Sequence, residues 1–548
     1  MRYPNVVDVR PGYKFQDGWI TSIPAVVVTV LRKDPAAALG DKALPEVVDG
    51  VPVDVAPATP LQQLQYLASK KKGGTRGPAV TVTPPGVPDL EPFLEPGDPA
   101  PTVSDDTGVR GADTGRGYKE PANLKLAPVS GALSLLCHAS PDAGWANLKK
   151  FFAGVKKTLT VAMYDFSAPY IYEAIDGVMQ KADGPFILNL DRKSNPKRKG
   201  EMTEDQVESG FRKSLEDKFE YSTAAVGTLF PNAYHIKVAV RDGNAFWQSS
   251  GNWQKSNQPE EDPADLSENE KRRLLSGHNR EWHIISDNAK LAKTFEAYIQ
   301  FDVSEVKRVA ATRGLEMLLP ELVMPPEEEV RAAKKVMIFP AKLFKFTSAD
   351  PVKVQPVLTP DNYGEHVLKL IQSAKKTLYF QNQYIKIYKT FPDNRGKPGL
   401  KDLVDALLER MNAGVDVKII LRNEGDVRGM LQGLKTFGFD MERVKLLGGC
   451  HNKGIVVDSK AAMVSSQNYS ADGVRFNRDA GLIIYHPKVA KYFEQIFLYD
   501  WESRAIQKAG GERGAMPLLR EVADAAPAGT RAARKAAPVI AWDQFYED

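Results

Sequence analysis

Two segments of the chain alternate hydrophobic and polar residues on the same plan. "SPDAGWANLKKFFAGVKKTLTVAMYDFS" (Ser140–Ser167) and "TPDNYGEHVLKLIQSAKKTLYFQNQYI" (Thr359–Ile385) each predict an amphipathic helix followed by a buried strand. Ser140 and Thr359 are the expected N-caps. Pro141 matches Pro360, Asp142 matches Asp361, and "VKKTL" from Val155 matches "AKKTL" from Ala374, all at one offset. A second strand follows in each segment, "FILNLDR" (Phe186–Arg192) and "VKIILRN" (Val417–Asn423). The helix before the latter, "LKDLVDALLERMNAG", has apolar residues at three-to-four spacing. Next come the alternating runs "HIKVAV" from His235 and "HNKGIVV" from His451, then "SSGN" or "SSQN", then "NREWHII" or "NRDAGLII". The unit is helix, strand, helix, strand, motif strand, and it occurs twice. Strands alternating with helices predict an α/β fold in each half.

The flanks read differently. Residues 1–80 predict a small β-rich module, with "AVVVTVL" as a strand and Asp49-Gly50 as a hairpin turn between Val-rich runs. "TPLQQLQYLASKKK" (Thr59–Lys72) reads as a helix. Residues 81–128 have a Pro/Gly-rich linker composition. The two halves are expected at 129–310 and 353–507, joined by 311–352, with an Ala-rich tail at 508–548. Between Asn252 and Asn279 the first half carries "WQKSNQPEEDPADLSENEKRRLLSGH", a long polar loop expected to form a flap. The second half crosses that gap in a few residues.

Composition narrows the class. The chain has 548 residues, 43% hydrophobic and 26% charged, with a net charge of +4. It is no polycation, so attraction to phosphate must come from local patches. Cys137 and Cys450 are too few and too far apart for a disulfide framework or a CxxC metal site. No run reaches the length of a membrane span, and "MRYPNVVDVRPGYK" lacks the apolar core of a signal peptide. A cytoplasmic protein is expected, with signal-independent secretion left open.

The chemistry lies in a repeated template, H-x-K-x4-D-x6-S-S-x-N, running from His235 to Asn252 and from His451 to Asn468. Residues i and i+2 of a strand share a face, so each His projects with its Lys. Two halves related by a pseudo-twofold would bring two imidazoles and two ammonium groups to one cleft. That set suits phosphodiester transfer. One neutral His attacks phosphorus, a protonated one gives its proton to the leaving oxygen, and Lys and Asn hold the non-bridging oxygens.

The paired H-x-K-x4-D with its following S-x-N resembles the phospholipase D superfamily in its two-motif, single-chain form, over about residues 130–505. The resemblance implies two α-β-α halves related by a pseudo-twofold, a phosphohistidine intermediate, and no metal or cofactor. It makes His235 the nucleophile and His451 the general acid, with Lys237, Lys453, Asn252 and Asn468 binding phosphate. Asp242 and Asp458 become structural carboxylates. Ser250 and Ser466 match the Ser of the family's G-S-x-N, although Ser249 and Ser465 replace its Gly. Glu281 and Asp479 match the acidic position that supports the catalytic His, Asp479 with the shorter reach. Asn382 and Gln383 in "QNQY" resemble a segment of many phospholipases, and Tyr164 and Asp165 occupy the matching strand end. All four are candidates for lining the substrate site.

The remaining signals are weaker. Arg192 and Lys193 open the basic run "RKSNPKRK", either a solvated loop or a docking patch for anionic membrane or nucleic acid. The other five histidines show no metal-ligand spacing and are expected to pack. Lipid headgroup hydrolysis or transfer is the favoured expectation, because both motif Asp residues are present and DNA-repair relatives of this type lack them. A nuclease is the alternative, and an inactive binding module a second. Phospholipid or an anionic membrane surface is the expected partner. A monomer holds both half-sites, and oligomers are compatible with it.

Overall fold

The computed structural model describes residues 6–16, 19–30, 44, 47–48, 51–57, 117–191, 200–224, 229–310, 336–388, 391, 396–423 and 427–507. The predicted helix at 59–72, the basic run with Arg192 and Lys193, the tail from 508, and most of the expected linker lie outside these residues. The chain divides into two compact units, 1–91 and 92–548.

The first unit is a four-stranded sheet of β1 (Val6–Gln16), β2 (Trp19–Val30), β3 (Val47–Val48) and β4 (Val51–Pro57), in the order β1-β2-β4-β3. The β3–β4 hairpin pairs Val48 with Val51 across the Asp49-Gly50 step. Ala25 and the run Val27–Val30 supply the buried side chains of β2.

The second unit is a duplication, element for element. Its first half runs β5 (Val129–Gly131), β6 (Ser134–Ser140), α1 (Gly144–Ala153), β7 (Leu159–Met163), α2 (Pro169–Met179), β8 (Phe186–Leu190), α3 (Glu204–Leu215), β9 (Phe219–Thr223), β10 (Lys237–Arg241), β11 (Ala245–Ser249), α4 (Glu268–Gly277), β12 (Glu281–Ser286) and α5 (Ala289–Ala310). The second half runs β13 (Lys342–Lys345), β14 (Val352–Thr359), α6 (Tyr363–Gln372), β15 (Thr377–Gln381), α7 (Leu400–Asn412), β16 (Asp416–Arg422), α8 (Val427–Phe437), β17 (Val444–Leu447), β18 (Lys453–Val457), β19 (Ala461–Ser465), α9 (Ala471–Arg475), β20 (Asp479–Tyr485) and α10 (Pro487–Tyr499).

Each half builds an eight-stranded mixed sheet, and the two orders correspond: β13-β6-β12-β11-β10-β7-β8-β9 and β5-β14-β20-β19-β18-β15-β16-β17. The edge strands are exchanged. β5, which precedes the first half, pairs with β14, and β13, which precedes the second, pairs with β6. The mixed α/β class with duplicated halves is as the sequence predicts.

Each half has its own outer core. Trp145, Leu148, Phe151 and Phe152 of α1 pack there in the first, and Tyr363, Val367, Leu370 and Ile371 of α6 in the second. A third core is shared, and α5 and α10 contribute to it from the two halves. Trp282 of β12 stacks on Phe493 of α10, with centroids 4.6 Å apart. It also lies on Gly454, where a Cβ would come within 2.3 Å of the indole. Only glycine fits there. No helix among the described residues is long and apolar enough to cross a membrane.

Three local expectations change. Ser140 and Thr359 end strands β6 and β14 and do not cap the helices, whose N-caps are Ala143 and Asn362. Both are consumed by the sheet, and the peptide bonds to Pro141 and Pro360 are cis. The insertion after Asn252 is not one long loop. It holds α4, closed by a Ser267–Glu270 capping box, and Ser256, Asn257 and Gln258 at its root are buried. Finally, strand pairing begins at Lys237 and Lys453, so His235 and His451 stand two residues before the strands.

Candidate active site

What holds each histidine, if not its own strand, is the other half. The Arg280 N–H donates to the Gly449 carbonyl at 2.8 Å, and the His451 N–H donates to the Arg280 carbonyl at 3.3 Å. In the other direction, the Arg478 N–H donates to the Ala233 carbonyl at 2.9 Å. The N-R-acid segment of one half thus runs beside the approach to the His of the other.

The carboxylates land crosswise as a result. Asp479 Oδ1 lies 2.8 Å from His235 Nδ1. Glu281 Oε1 lies 2.6 Å from His451 Nδ1. The shorter Asp side chain does reach its partner. A carboxylate on Nδ1 fixes the ring and leaves Nε2 as the working nitrogen. Ser250 Oγ donates to Glu281 Oε2 at 2.5 Å and Ser466 Oγ to Asp479 Oδ1 at 2.6 Å, while each hydroxyl accepts the next strand's N–H, from Trp282 and Ala480. Gly251 permits this approach, since a Cβ there would lie 2.6 Å from the Glu281 carboxyl carbon.

Below the acids sit two buried ion clusters. Arg280 bonds Asp142 and Asp500, and Arg478 bonds Asp361 and Asp302, with all six side chains at least 95% buried. Asp500 and Asp302 each come from the opposite half to their arginine. The arginine backbone sets the histidine, and the arginine side chain locks the halves together.

Lys237 Nζ donates to the His235 carbonyl at 2.5 Å, and Lys453 Nζ to the His451 carbonyl at 2.7 Å. Lys453 Nζ also lies 3.2 Å from both ring nitrogens of His451. Burial, then the neighbouring ammonium groups, lowers both histidines: His235 to about 4 and His451 well below the usual range. Burial also lowers Lys237 strongly and Lys453 to about 8. Burial pushes Glu281 up to about 7 against the pull of Lys453. Each histidine and lysine responds to charges of the other half, so the two motifs form one electrostatic site.

Asn252 and Asn468 are buried beside the motif strands, and Oδ1 of each has no protein partner. Asp242 and Asp458 lie apart from the histidines, in the turns after β10 and β18, at φ +52°. Asp242 accepts the N–H groups of Lys156, Lys157 and Thr158, and Asp458 those of Lys375, Lys376 and Thr377. Tyr164 borders the site, its ring 4.7 Å from that of His235 and 5.0 Å from Lys237 Nζ. Asp165 turns away to accept from Gln254. Asn382 is buried and bonded to the Gln467 carbonyl, and the Gln383 N–H donates to Asn382 Oδ1. Arg192 and Lys193 lie outside the described residues.

The motif reading passes over Asn257. It is buried, and its Nδ2 donates to Glu281 Oε1 at 2.5 Å. The motif gave no signal for it, because it sits in the insertion that the second half lacks.

The family model described as cardiolipin synthase, PLD-like domain, matches residues 367–501, which hold His451, Lys453, Asn468 and Asp479. Cardiolipin synthase of Staphylococcus aureus is 28% identical over 157 residues, 26% of this chain and 28% of its own length. That of Listeria welshimeri is 30% identical over 157 residues, 26% of this chain and 29% of its own length. The match thus spans under a third of these curated relatives. Among solved structures, phosphatidylserine synthase of Haemophilus influenzae aligns with 72% of this chain and 94% of its own, at 12% identity and a TM-score of 0.45. Residues 367–501 are thus a phospholipase D-like domain by their family model, and the first half repeats its motif and its strand order.

Proposed function

We propose that the chain is a phospholipase D-type phosphodiesterase that forms a phosphohistidine and acts on phospholipid headgroups, by transfer or hydrolysis. The observation that carries this reading is the pair of crosswise dyads, His235–Asp479 and His451–Glu281. His235, neutral and bearing its hydrogen on Nδ1, attacks phosphorus through the Nε2 lone pair. The headgroup alcohol leaves with the Nε2 proton of His451. In the second step His451 takes a proton from water or an acceptor alcohol, which displaces His235 from phosphorus.

The protons fall in the right places. The dyad around Glu281, at about 7, holds a proton near neutral pH. Whether that proton rests on the carboxyl or the imidazole, Nε2 of His451 carries a hydrogen. Lys237 and Lys453 face the charge that builds on the non-bridging oxygens. The carboxamides of Asn252 and Asn468, turned by 180°, add a donor from each half. A lipid substrate is favoured by the family model's description and by the relatives that bear the cardiolipin synthase name.

The test is a paired turnover assay in EDTA. One arm offers mixed phospholipid vesicles and reads free headgroup and new phosphatidyl alcohol. The other offers single- and double-stranded DNA and RNA. His235→Ala is the blank. Headgroup release that the variant abolishes is expected. Cleavage of nucleic acid with intact lipid would overturn the lipid reading and leave a duplicated nuclease.

A further inference from the structure

The duplication fails at one place inside the site. Five residues beyond Asn252 stands Asn257, at the root of the insertion. Five beyond Asn468 stands Gly473, with no side chain to offer.

The Asn257 carboxamide is oriented by the groups on its two sides. Its Oδ1 accepts from Ser256 Oγ at 2.8 Å and from Asn279 Nδ2 at 3.4 Å. Its NH2 points the other way, toward a carboxylate oxygen that accepts it. There it meets Glu281 Oε1 at 2.5 Å and lies 3.5 Å from His451 Nδ1. The Glu281 carboxylate is consequently held by three donors: Ser250 on one oxygen, and Asn257 and His451 on the other. Asp479 is held less completely. Ser466 and His235 both use Oδ1, and Oδ2 is buried without a protein partner.

Resting on the two-histidine reading above, we propose that Asn257 is a positioning residue for proton transfer at His451, and that through it the insertion makes the two half-sites unequal. Asn257 touches neither phosphorus nor the leaving oxygen. It fixes the carboxylate that fixes the imidazole, so that Nε2–H points at the leaving alcohol. The His235 side needs no such clamp, because a nucleophile is aimed by the phosphate it attacks.

This assigns a measurable signature. An alkyl alcohol leaves poorly without a proton, whereas p-nitrophenolate leaves without help. We would compare first-turnover bursts from two probes that share one phosphatidyl group, phosphatidylglycerol and phosphatidyl-p-nitrophenol. In Asn257→Ala the alkyl burst should fall on the order of tenfold, part of the ~10²–10⁴-fold that a general acid supplies. The aryl burst should stay within about twofold of wild type. Ser256→Ala keeps Asn257 but releases its amide, and should show the same pattern more weakly. That second variant carries the test if Asn257→Ala does not fold. Equal losses for both leaving groups, or no loss for either, would overturn the proposal. A wild type without any burst from lipid esters would instead overturn the lipid reading itself.

Discussion

The two halves match strand for strand, yet the sites they build are not equivalent. The first half contributes Glu281, braced by Asn257 and Ser250, to the second half's histidine. The second half contributes Asp479, one methylene shorter and braced by Ser466, to the first half's histidine. Trp282 beside Glu281 has Ala480 as its counterpart beside Asp479, and Gly454 answers Val238 in the motif strands. Bulk added on one side of the duplication is removed on the other. Duplication supplied two imidazoles, two ammonium groups and two carboxylates in one place. On the proposed mechanism, breaking the symmetry is what lets two copies of one residue do opposite jobs, since an attacking and a donating histidine need different protons.

The largest expected effect follows from that division. His235→Ala and His451→Ala should each cut lipid turnover by more than about 10⁴-fold. With an aryl leaving group they should part company. His451→Ala should still release one equivalent of p-nitrophenol and accumulate phosphoenzyme, while His235→Ala releases none. Quench-flow with acid trapping reads both. Phosphoenzyme in His235→Ala but not in His451→Ala would reverse the roles of the halves.

Next come the ion clusters. Arg280→Met and Arg478→Met each strand two buried carboxylates, a change that costs about 3–5 kcal/mol. The losses should differ. Asp500 keeps Arg504, whose Nη1 donates to it at 2.8 Å, whereas Asp302 is left with the Tyr234 hydroxyl at 3.2 Å. Charge partners show the same contrast: against the cost of burial, Arg280 and Arg504 hold Asp500 below the usual carboxylate range, while burial pushes Asp302 up to about 6 despite Arg478. Urea denaturation should find Arg478→Met the less stable variant. The reverse order would mean that Arg504 does not shield Asp500.

These clusters also mark where the sequence stops being legible. H-x-K, S-S-x-N and N-R-acid are local and occur twice, so both motifs and the α/β class are readable from spacing alone. The crosswise pairing of Asp479 with His235 is not, because it depends on how two halves dock. Asp302 sits mid-helix in α5 and Asp500 just beyond α10, at positions where an acidic residue looks like solvent-facing helix surface. Ser140 fits an N-cap by residue type, but β6 extends through it and its hydroxyl lies 2.9 Å from His283 Nε2. Asn257 is one polar residue among many in a polar insertion, and its bond to Glu281 is what sets it apart.

The pH profile tests the unequal dyads without mutation. Glu281 has its carboxyl raised to about 7, so the His451 dyad holds its extra proton below that pH and loses it above. The kcat/KM for an alkyl diester should therefore fall about tenfold per pH unit above about 7. For the p-nitrophenyl ester, which needs no acid, that limb should vanish. Lys453, lowered to about 8, then loses its charge at higher pH, and KM should rise for both esters. An identical alkaline limb near 7 for the two leaving groups would place the titrating proton elsewhere.

The smallest effect is one where the halves should behave alike. Asp242 and Asp458 both occupy φ +52° and both gather three backbone N–H groups from the loop before a core strand. In Asp458, burial alone would raise the carboxyl, but those three donors hold it below its ordinary value. Asn tolerates the left-handed conformation almost as well as Asp and keeps one acceptor oxygen. It loses the charge that strengthens the three bonds. Asp242→Asn and Asp458→Asn should each cost about 1 kcal/mol of stability, with kcat per folded molecule unchanged, because neither carboxylate faces phosphorus. Equal shifts in the urea midpoint would place these two residues in the scaffold that duplication preserved. A fall in kcat for one alone would mean that the asymmetry extends beyond the dyads, into the turns that carry the motif strands.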